Sequence, residues 1–510
     1  MSLLALSCGL FARGAYAQNA TPPDLSDQLQ RLTEAMARTQ AQVEQSQREL
    51  DEMRRQMSAL QALMAKSGSS ANVTSPPAAT PEATSSTSQP PSTTASVDID
   101  EIRERQAIDE AQIKTQDQTK VESESKYPVK VTGLLLLNGF VNTRQVDAAP
   151  TPTVAVSGPG SSGASLRQTV LGIAARGPHL FGARSYADLS VDFDGNPSSV
   201  STTTNYAGYD ASNATLLRLR TAHAGLQWEH TQAYFSLDRP IFSPDTPTSL
   251  TAVAEPSLAW SGNLWTWNPQ LGVTQDLPVG SHTVRLQGAL VDVGDAPWPA
   301  PPISMAIGGT SATTAQQSRW PGAEARVALL GSKLDDGSHL GFGGYFAPHL
   351  SPFGKRFDAW AGTLDAKLLL PFRLAFSGSF YRGEALGGLG GGAFKDFTYI
   401  AGSIPGEYYS RPLDDVGGWA QLKEKLSERL EFNAAFGLDN VFSKELRPYA
   451  ITGGSIYQNL ARNRTYTGNI LYSPSAYLLF SLEYRRLESS PVNGLTAGSN
   501  IIGVGAGYRF

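Results

Sequence analysis

The chain has 510 residues, a formal net charge of −5, 41% hydrophobic residues and a mean hydropathy of −0.22. It contains no apolar run of the roughly 18 residues that a spanning helix needs, so no transmembrane helix is encoded. Its one cysteine, Cys8, sits in an apolar leader, which excludes a disulfide framework and suits an exported protein without thiols.

Residues 1–17 end in Ala15-Tyr16-Ala17 before Gln18, the small-residue pattern of a signal-peptide cleavage site. The leader lacks an early Lys or Arg, which places the expected start codon upstream; Ala5-Leu6-Ser7 before Cys8 matches a lipoprotein signal only imperfectly. From Leu25 through Leu29, Leu32 and Met36 to Leu60 and Met64, apolar residues recur at 4-3 spacing without Pro or Gly. That sustained 3.5-residue period predicts an α-helical coiled coil within 18–66; a helix lying along its own domain needs a broader stripe. Thr39 and Ser46 fall on the seam and weaken it, and its methionines do not fix the number of strands. Residues 67–97, rich in Ser, Thr and Pro, read as a disordered linker. Residues 98–126 are polar and charged, with a sparse helical seam of Ile99, Ile102 and Ile113.

From Tyr127 the period changes to two. Sixteen segments read as strands: 129–144, 165–176, 183–194, 215–228, 231–240, 268–277, 282–293, 321–331, 338–349, 357–370, 372–383, 416–426, 429–439, 464–472, 475–487 and 500–510. In the last, Ile502, Val504, Ala506, Tyr508 and Phe510 alternate with Gly503, Gly505, Gly507 and Arg509. The fourth slips phase, which predicts a bulge near Thr221. Short turns alternate with long loops at 195–214, 241–267, 294–320, 384–415 and 440–463. An even strand count with loops sorted by length predicts an all-β fold, a 16-stranded antiparallel transmembrane β-barrel over 127–510. A soluble β-sandwich has no reason to sort its loops this way. The aromatic pair Tyr508 and Phe510 on a chain-terminal strand resembles the assembly signal of bacterial outer-membrane barrels.

Mid-strand charge cannot face lipid, where an Arg or Lys costs roughly 2–4 kcal/mol. Parity therefore assigns Arg218, Arg220, Arg285, Arg326, Arg373, Lys423 and Lys425 to the lumen, with Asp188, Asp192, Glu324 and Asp365 among its acids. Across all strands this gives thirteen lumen bases against eight acids, a lumen mildly attractive to anions. Bracing pairs between these arginines and acids are the bland alternative for each. Residues 127–510 carry 29 bases and 29 acids, which offers no basic excess for nucleic acid. No nucleophile elbow, zinc-protease or P-loop motif occurs, and the six histidines show no metal-ligand spacing, so neither catalytic residue, metal nor cofactor is expected. His339 and His349, at a strand start and a loop, suit surface positions.

Leader, heptad helix, Pro/Ser/Thr tether and sixteen strands together resemble the DcaP-like trimeric porins, within the wider set that includes phosphate-selective porins. Local stretches share the likeness: VKVTGLLLLNGF at 129–140, LRLRTAHAGLQW at 217–228, SGNLWTWNPQL at 261–271, FNAAFGLDN at 432–440 and RTYTGNILYSPSAYLLFSLEYRRL at 464–487. The resemblance implies a homotrimer in the bacterial outer membrane, surrounded by lipid, delivered by the outer-membrane assembly machinery and passing small anionic solutes, with the coiled coil in the periplasm. The barrel region holds only eight lysines, unlike the lysine-dense phosphate-selective members. The loop after the fifth strand stands where general porins fold a loop into the lumen; there Asp238, Arg239, Asp245 and Glu255 are the constriction candidates. Its Trp260, Trp265 and Trp267 suit either a sugar-stacking slide or, as their place near the next strand favours, the interfacial girdle. A mildly anion-preferring diffusion channel leads, with a carbohydrate or non-selective porin and a closed structural barrel as alternatives.

Overall fold

The computed structural model describes residues 128–195, 216–298, 312–331, 337–452 and 456–510. The expected signal peptide, coiled coil, linker and 98–126 segment lie outside these residues. In chain order the strands are β1 (Val129–Val146), β2 (Ala155–Ser165), β3 (Val170–Leu180), β4 (Ala183–Gly195), β5 (Leu216–Gln227), β6 (Thr231–Asp238), β7 (Asn268–Val279), β8 (His282–Val291), β9 (Gly322–Leu330) and β10 (His339–Leu350). They continue with β11 (Arg356–Leu370), β12 (Leu374–Glu384), β13 (Phe397–Ala401), β14 (Tyr408–Pro412), β15 (Asp414–Lys425), β16 (Leu430–Val441), β17 (Leu460–Tyr472), β18 (Leu478–Pro491) and β19 (Ala497–Arg509).

Seventeen of these form one antiparallel sheet that closes on itself, because β1 pairs with β19 from Leu134↔Arg509 to Asn142↔Ile501. β2 and β3 both pair with β1, at Asn138–Val146 and Val129–Leu134 respectively, so they share one wall position across a break at 166–169. The wall therefore has sixteen positions, and each of the sixteen predicted segments occupies one. The upper part of the second position was missed because β2 reads AVSGPGSSGAS, which carries no alternation of large apolar residues. β13 and β14 form a separate hairpin inside a long loop and were also missed. The phase slip in β5 is a bulge at Arg220: Ser190 faces Thr221 while Val191 faces Leu219.

Alternation sorts the side chains as a membrane demands. Leu478, Phe480, Leu482 and Tyr484 are exposed on the outside of β18, while Ser481, Glu483 and Arg485 are buried inside. The same holds along β17, where Tyr466 and Ile470 face out and Thr465, Thr467 and Asn469 face in. Phe510 completes the ladder: its N–H donates to the Gly133 carbonyl (3.0 Å) and its carbonyl accepts from Gly133 N–H (2.9 Å). Its ring lies where a Gly133 side chain would stand, so a larger residue there would have to turn the Phe510 ring aside.

The apolar core lies inside the upper end of the barrel and is built by loops. At the long-loop end, 239–267 follows the fifth wall position and is called L3; 385–413 is L6. One cluster joins Phe242 and Leu264 of L3 to Leu386 and Leu389 of L6 and to Tyr345 and Tyr381 on the wall. A second joins Trp260 and Trp265 to Phe394, Leu446 and Leu460. An apolar exterior facing lipid and an apolar plug inside one end leave the polar surface to line the remaining lumen.

Candidate functional site

L3 runs around the inside of the wall and is fastened to it at nearly every turn. Ile241 N–H donates to Glu324 Oε2 on β9 (2.9 Å), and Thr248 N–H donates to Gln421 Oε1 on β15 (2.6 Å). Ser249 Oγ donates to Glu483 Oε2 on β18 (2.5 Å), and Asn138 on β1 donates to the Leu250 carbonyl (2.8 Å). Gln168, in the break between β2 and β3, accepts from Val253 N–H (2.6 Å) and donates to the Thr251 carbonyl (3.0 Å). Arg218 on β5 then donates to the Ala254 carbonyl (2.8 Å). Glycines make room for so close an approach. Gly262, at φ +97°, lies against the Gly418 carbonyl, and any side chain at Gly437 would strike the Ser261 carbonyl.

The loop tryptophans occupy neither position expected of them. Trp260 and Trp265 are 5% and 7% exposed, so they cannot form a lipid-facing girdle and offer no open face to a sugar. Trp260 stacks on Phe394 of L6 at 4.1 Å, and Trp265 meets Trp260 and Trp267 edge-on. Trp267 lies beneath the guanidiniums of Arg218 and Arg220, at 5.2 and 5.0 Å from its ring centre. L6 itself enters the barrel, which no sequence signal announced.

The lumen arginines are paired. Arg218 makes a two-pronged contact with buried Asp192 (2.7 and 3.1 Å), and Arg220 reaches the same carboxylate at 3.3 Å. Arg285 holds Asp276 through two bonds of 2.7 and 2.8 Å. Arg326, 6% exposed, holds Asp365 through two bonds and adds Gln287 at 2.8 Å. Asp276 was absent from the lumen acids counted from parity, which is one reason the basic excess reads smaller here.

Histidines supply links that sequence reasoning missed. His223 bridges Asp188 (2.8 Å) and Asp238 (3.0 Å), and His339 ties Asp245 of L3 (2.8 Å) to Asp365 (3.3 Å). His349 is 2% exposed and packs on Phe357, correcting its expected surface position; it lies at the end of β10 on the inward-facing parity, where Thr314 bonds to its ring nitrogen (2.9 Å). Among the described residues no group of His, Cys, Asp and Glu is placed to hold a metal ion.

Two cavities flank L3. One, of about 290 Å³, is lined by Asp238, Arg239, His223 and Tyr234 among others. The larger, of about 560 Å³, lies between L3 and the β11–β12–β15 wall and collects Lys367, Arg373, Lys423 and Lys425. Lys423 pairs with Glu431 at 3.0 Å, whereas Arg373 and Lys425 are exposed. The larger cavity also holds Asp245 and Glu428, so cations outnumber acids on its lining by four to two.

Glu255 sits apart from these cations. Burial, with Asp147 and Asp194 nearby, pushes its carboxyl up to about 8. A carboxyl raised in the folded state binds a proton that the unfolded chain has released, so its contribution is complete below about pH 4.5 and is lost as pH rises through about 8. If the barrel conducts, its reversal potential should move toward cation preference between pH 7 and 9, as L3 gains this negative charge. Glu255→Gln should flatten that change while matching wild type at pH 7. A wild-type reversal potential constant across this range counts against a neutral Glu255.

No protein-family model matches the sequence, and neither does any curated protein. Among solved structures, the fold is that of the outer membrane channel DcaP of Acinetobacter baumannii, with a TM-score of 0.55 and 14% identity over 77% of this chain and 100% of that one. An anion-selective porin from Comamonas acidovorans is also similar, at a TM-score of 0.47 and 10% identity over 76% of this chain and 100% of that one.

Proposed function

From a barrel that shares the fold of DcaP, we propose an outer-membrane porin that passes small hydrophilic solutes by diffusion, with a mild preference for anions. The observation that carries this reading is a closed sixteen-position wall, apolar outside and polar inside, whose lumen is narrowed by L3 and lined below it by exposed Arg373 and Lys425. Fixed cations beside a narrow path favour anions, and the effect fades at high salt because screening shortens to a few Å. Arg218, Arg220, Arg285 and Arg326 contribute less than their number suggests, since each spends its charge on a neighbouring carboxylate.

The test is a planar-bilayer recording in a salt gradient. Wild type should show an anion-side reversal potential at low salt, and Arg373→Gln with Lys425→Gln should move it toward cations with little change in conductance. A wild type that is already cation-selective overturns the assignment, and a barrel that conducts nothing favours the structural reading. Buried Trp260 and Trp265 offer no stacking surface to a carbohydrate, which weakens the reading that they form a sugar slide.

Homotrimer formation belongs to the same proposal, supported by the heptad seam from Leu25 to Met64 as a periplasmic self-association element. The mass of the detergent-extracted assembly tests it. Tyr508 and Phe510 are proposed as the assembly signal: both are exposed on the outside of the closing strand. Phe510→Ala should lower the amount of protein in the outer membrane several-fold and leave surviving channels with normal conductance. Normal amounts with altered conductance would place Phe510 at the pore instead.

A further inference from the structure

Arg239 differs from the four arginines that brace the lumen wall. Arg218, Arg220, Arg285 and Arg326 each hold a carboxylate, whereas among the described residues no ion pair or hydrogen bond engages the Arg239 guanidinium. Asp238 and Asp245 act on it only across a distance. The backbone that carries it is fixed where the wall gives way to L3. Gln270 Nε2 on β7 donates to the carbonyls of Asp238 (3.0 Å) and Arg239 (2.8 Å), and Arg239 N–H donates to Asp238 Oδ1 (2.7 Å). The carboxylates nearby are engaged elsewhere. Asp238 Oδ2 meets His223 at 3.0 Å, Asp245 meets His339 at 2.8 Å, and Glu324 accepts from Ile241 N–H at 2.9 Å.

This guanidinium lines the smaller cavity, of about 290 Å³, whose remaining polar lining is largely neutral. Ser236 Oγ on β6 is buried there, 7% exposed, with no partner. Gln287 on β8 gives its Oε1 to Arg326 (2.8 Å), and among the described residues nothing takes its Nε2 protons. Gln232 on β6 donates to the Tyr186 hydroxyl on β4 and keeps its own Oε1 open. A cation without a carboxylate thus stands beside an amide N–H, an amide carbonyl and a hydroxyl that lack partners.

We propose that this cavity is a transit site for small hydroxy-carboxylates, with Arg239 receiving the carboxylate and Ser236, Gln232 and Gln287 receiving the hydroxyls. A guanidinium offers two parallel N–H groups to one carboxylate, a charge-assisted contact stronger than a neutral one. A hydroxyl both donates and accepts, so it suits a wall that presents both kinds of group. It also satisfies the buried Ser236 hydroxyl, which is costly to leave unpaired. A second carboxylate finds no second cation in this cavity and would lie beside Asp238. The volume stands at the lower end of small-molecule sites, so the solute has a few carbons rather than several sugar rings. Passage through the site rests on the porin reading; binding at it does not.

Isothermal titration of the full-length protein in detergent tests the site with glycerate, propionate, malonate and glycerol. We expect glycerate to bind most tightly, because propionate lacks the hydroxyls, glycerol lacks the charge, and malonate brings a second charge toward Asp238. Arg239→Gln should weaken glycerate about tenfold, the loss of one charge-assisted pair. Ser236→Ala should weaken glycerate several-fold and leave propionate unchanged. No measurable glycerate binding, equal affinity in wild type and Arg239→Gln, or malonate or propionate binding as tightly as glycerate overturns the proposal. Ser236→Ala removes a single oxygen from the wall and carries the test if Arg239→Gln forms no heat-modifiable barrel; unchanged glycerate affinity there also overturns it. In bilayers, glycerate should cause brief current interruptions that Arg239→Gln shortens about tenfold. Interruptions of equal length in the two proteins overturn the transit role. A barrel that conducts nothing sinks the porin reading, while the titration still decides the site.

Discussion

Replacing Lys395 by methionine should release the tip of L6 from the barrel and raise single-channel conductance. Lys395 is fully buried, and its Nζ donates to three carbonyls, those of Ala393 (2.7 Å), Tyr457 (2.7 Å) and Leu460 (2.9 Å). Methionine fills much of the same volume but strands all three acceptors, at a cost of about 1–3 kcal/mol each. The tip is also strained: Ala393 and Phe394 hold φ of 44° and 73°, a left-handed conformation that non-glycine residues adopt at a cost of order 1–3 kcal/mol each. What keeps it seated, besides Lys395, is a pair of wall carboxylates. Asp415 accepts from Gly392 N–H and Asp439 from Ala393 N–H, both at 2.7 Å. Losing one of three anchors on a strained segment should let it swing out, exposing Trp260 and opening L6 to protease. Conductance and cleavage both matching wild type would show that the two aspartates suffice.

Arg326→Ala should be the most destabilising single change on the lumen face. The guanidinium is 6% exposed and its partner Asp365 is 1% exposed, so removal leaves a carboxylate buried with only His339 at 3.3 Å to compensate. Breaking such a pair from one side costs about 3–5 kcal/mol, whereas removing both charges is far milder. Heat-induced unfolding of the detergent-solubilised barrel should therefore fall steeply in Arg326→Ala and recover in part in the Arg326→Ala, Asp365→Ala double variant. If the double variant is worse than the single one, the pair is packing rather than electrostatics.

Much of the wall was legible because the membrane imposes a rule of period two that a sequence must obey strand by strand. Leu217 and Leu219 against Arg218 and Arg220 could be read directly, and even the phase slip in β5 was placed within one residue of the bulge at Arg220. The interior was not legible in the same way. Whether Arg285 faces open water or Asp276 depends on which residues stand opposite in the neighbouring strand, and register is a property of two segments that one segment's pattern does not contain. Loops hide more. Trp260 and Trp265 are aromatic residues near a strand start, which is what a girdle looks like; only the insertion of L6, driven by contacts with Phe394 and Leu389, makes them core. Buried Lys395 stands in a loop and has no periodicity to betray it; His349 shares the inward parity of Tyr345 and Ala347, but its polar side chain beside a loop suggested the surface.

The fastening of L3 also orders events during assembly. Its anchors come from both ends of the chain: Ser249 waits for Glu483, 234 residues later, and Thr248 for Asn469, 221 residues later. Contacts of such high sequence separation form late, since the intervening chain must first be closed. Until β17 and β18 take their places, L3 lacks its bonds to Asn469 and Glu483 and is held by its other anchors alone. The fully fastened channel is thus a product of the last steps of folding. A barrel stalled before its final strands should be leaky rather than silent, a hazard for any cell that accumulates it.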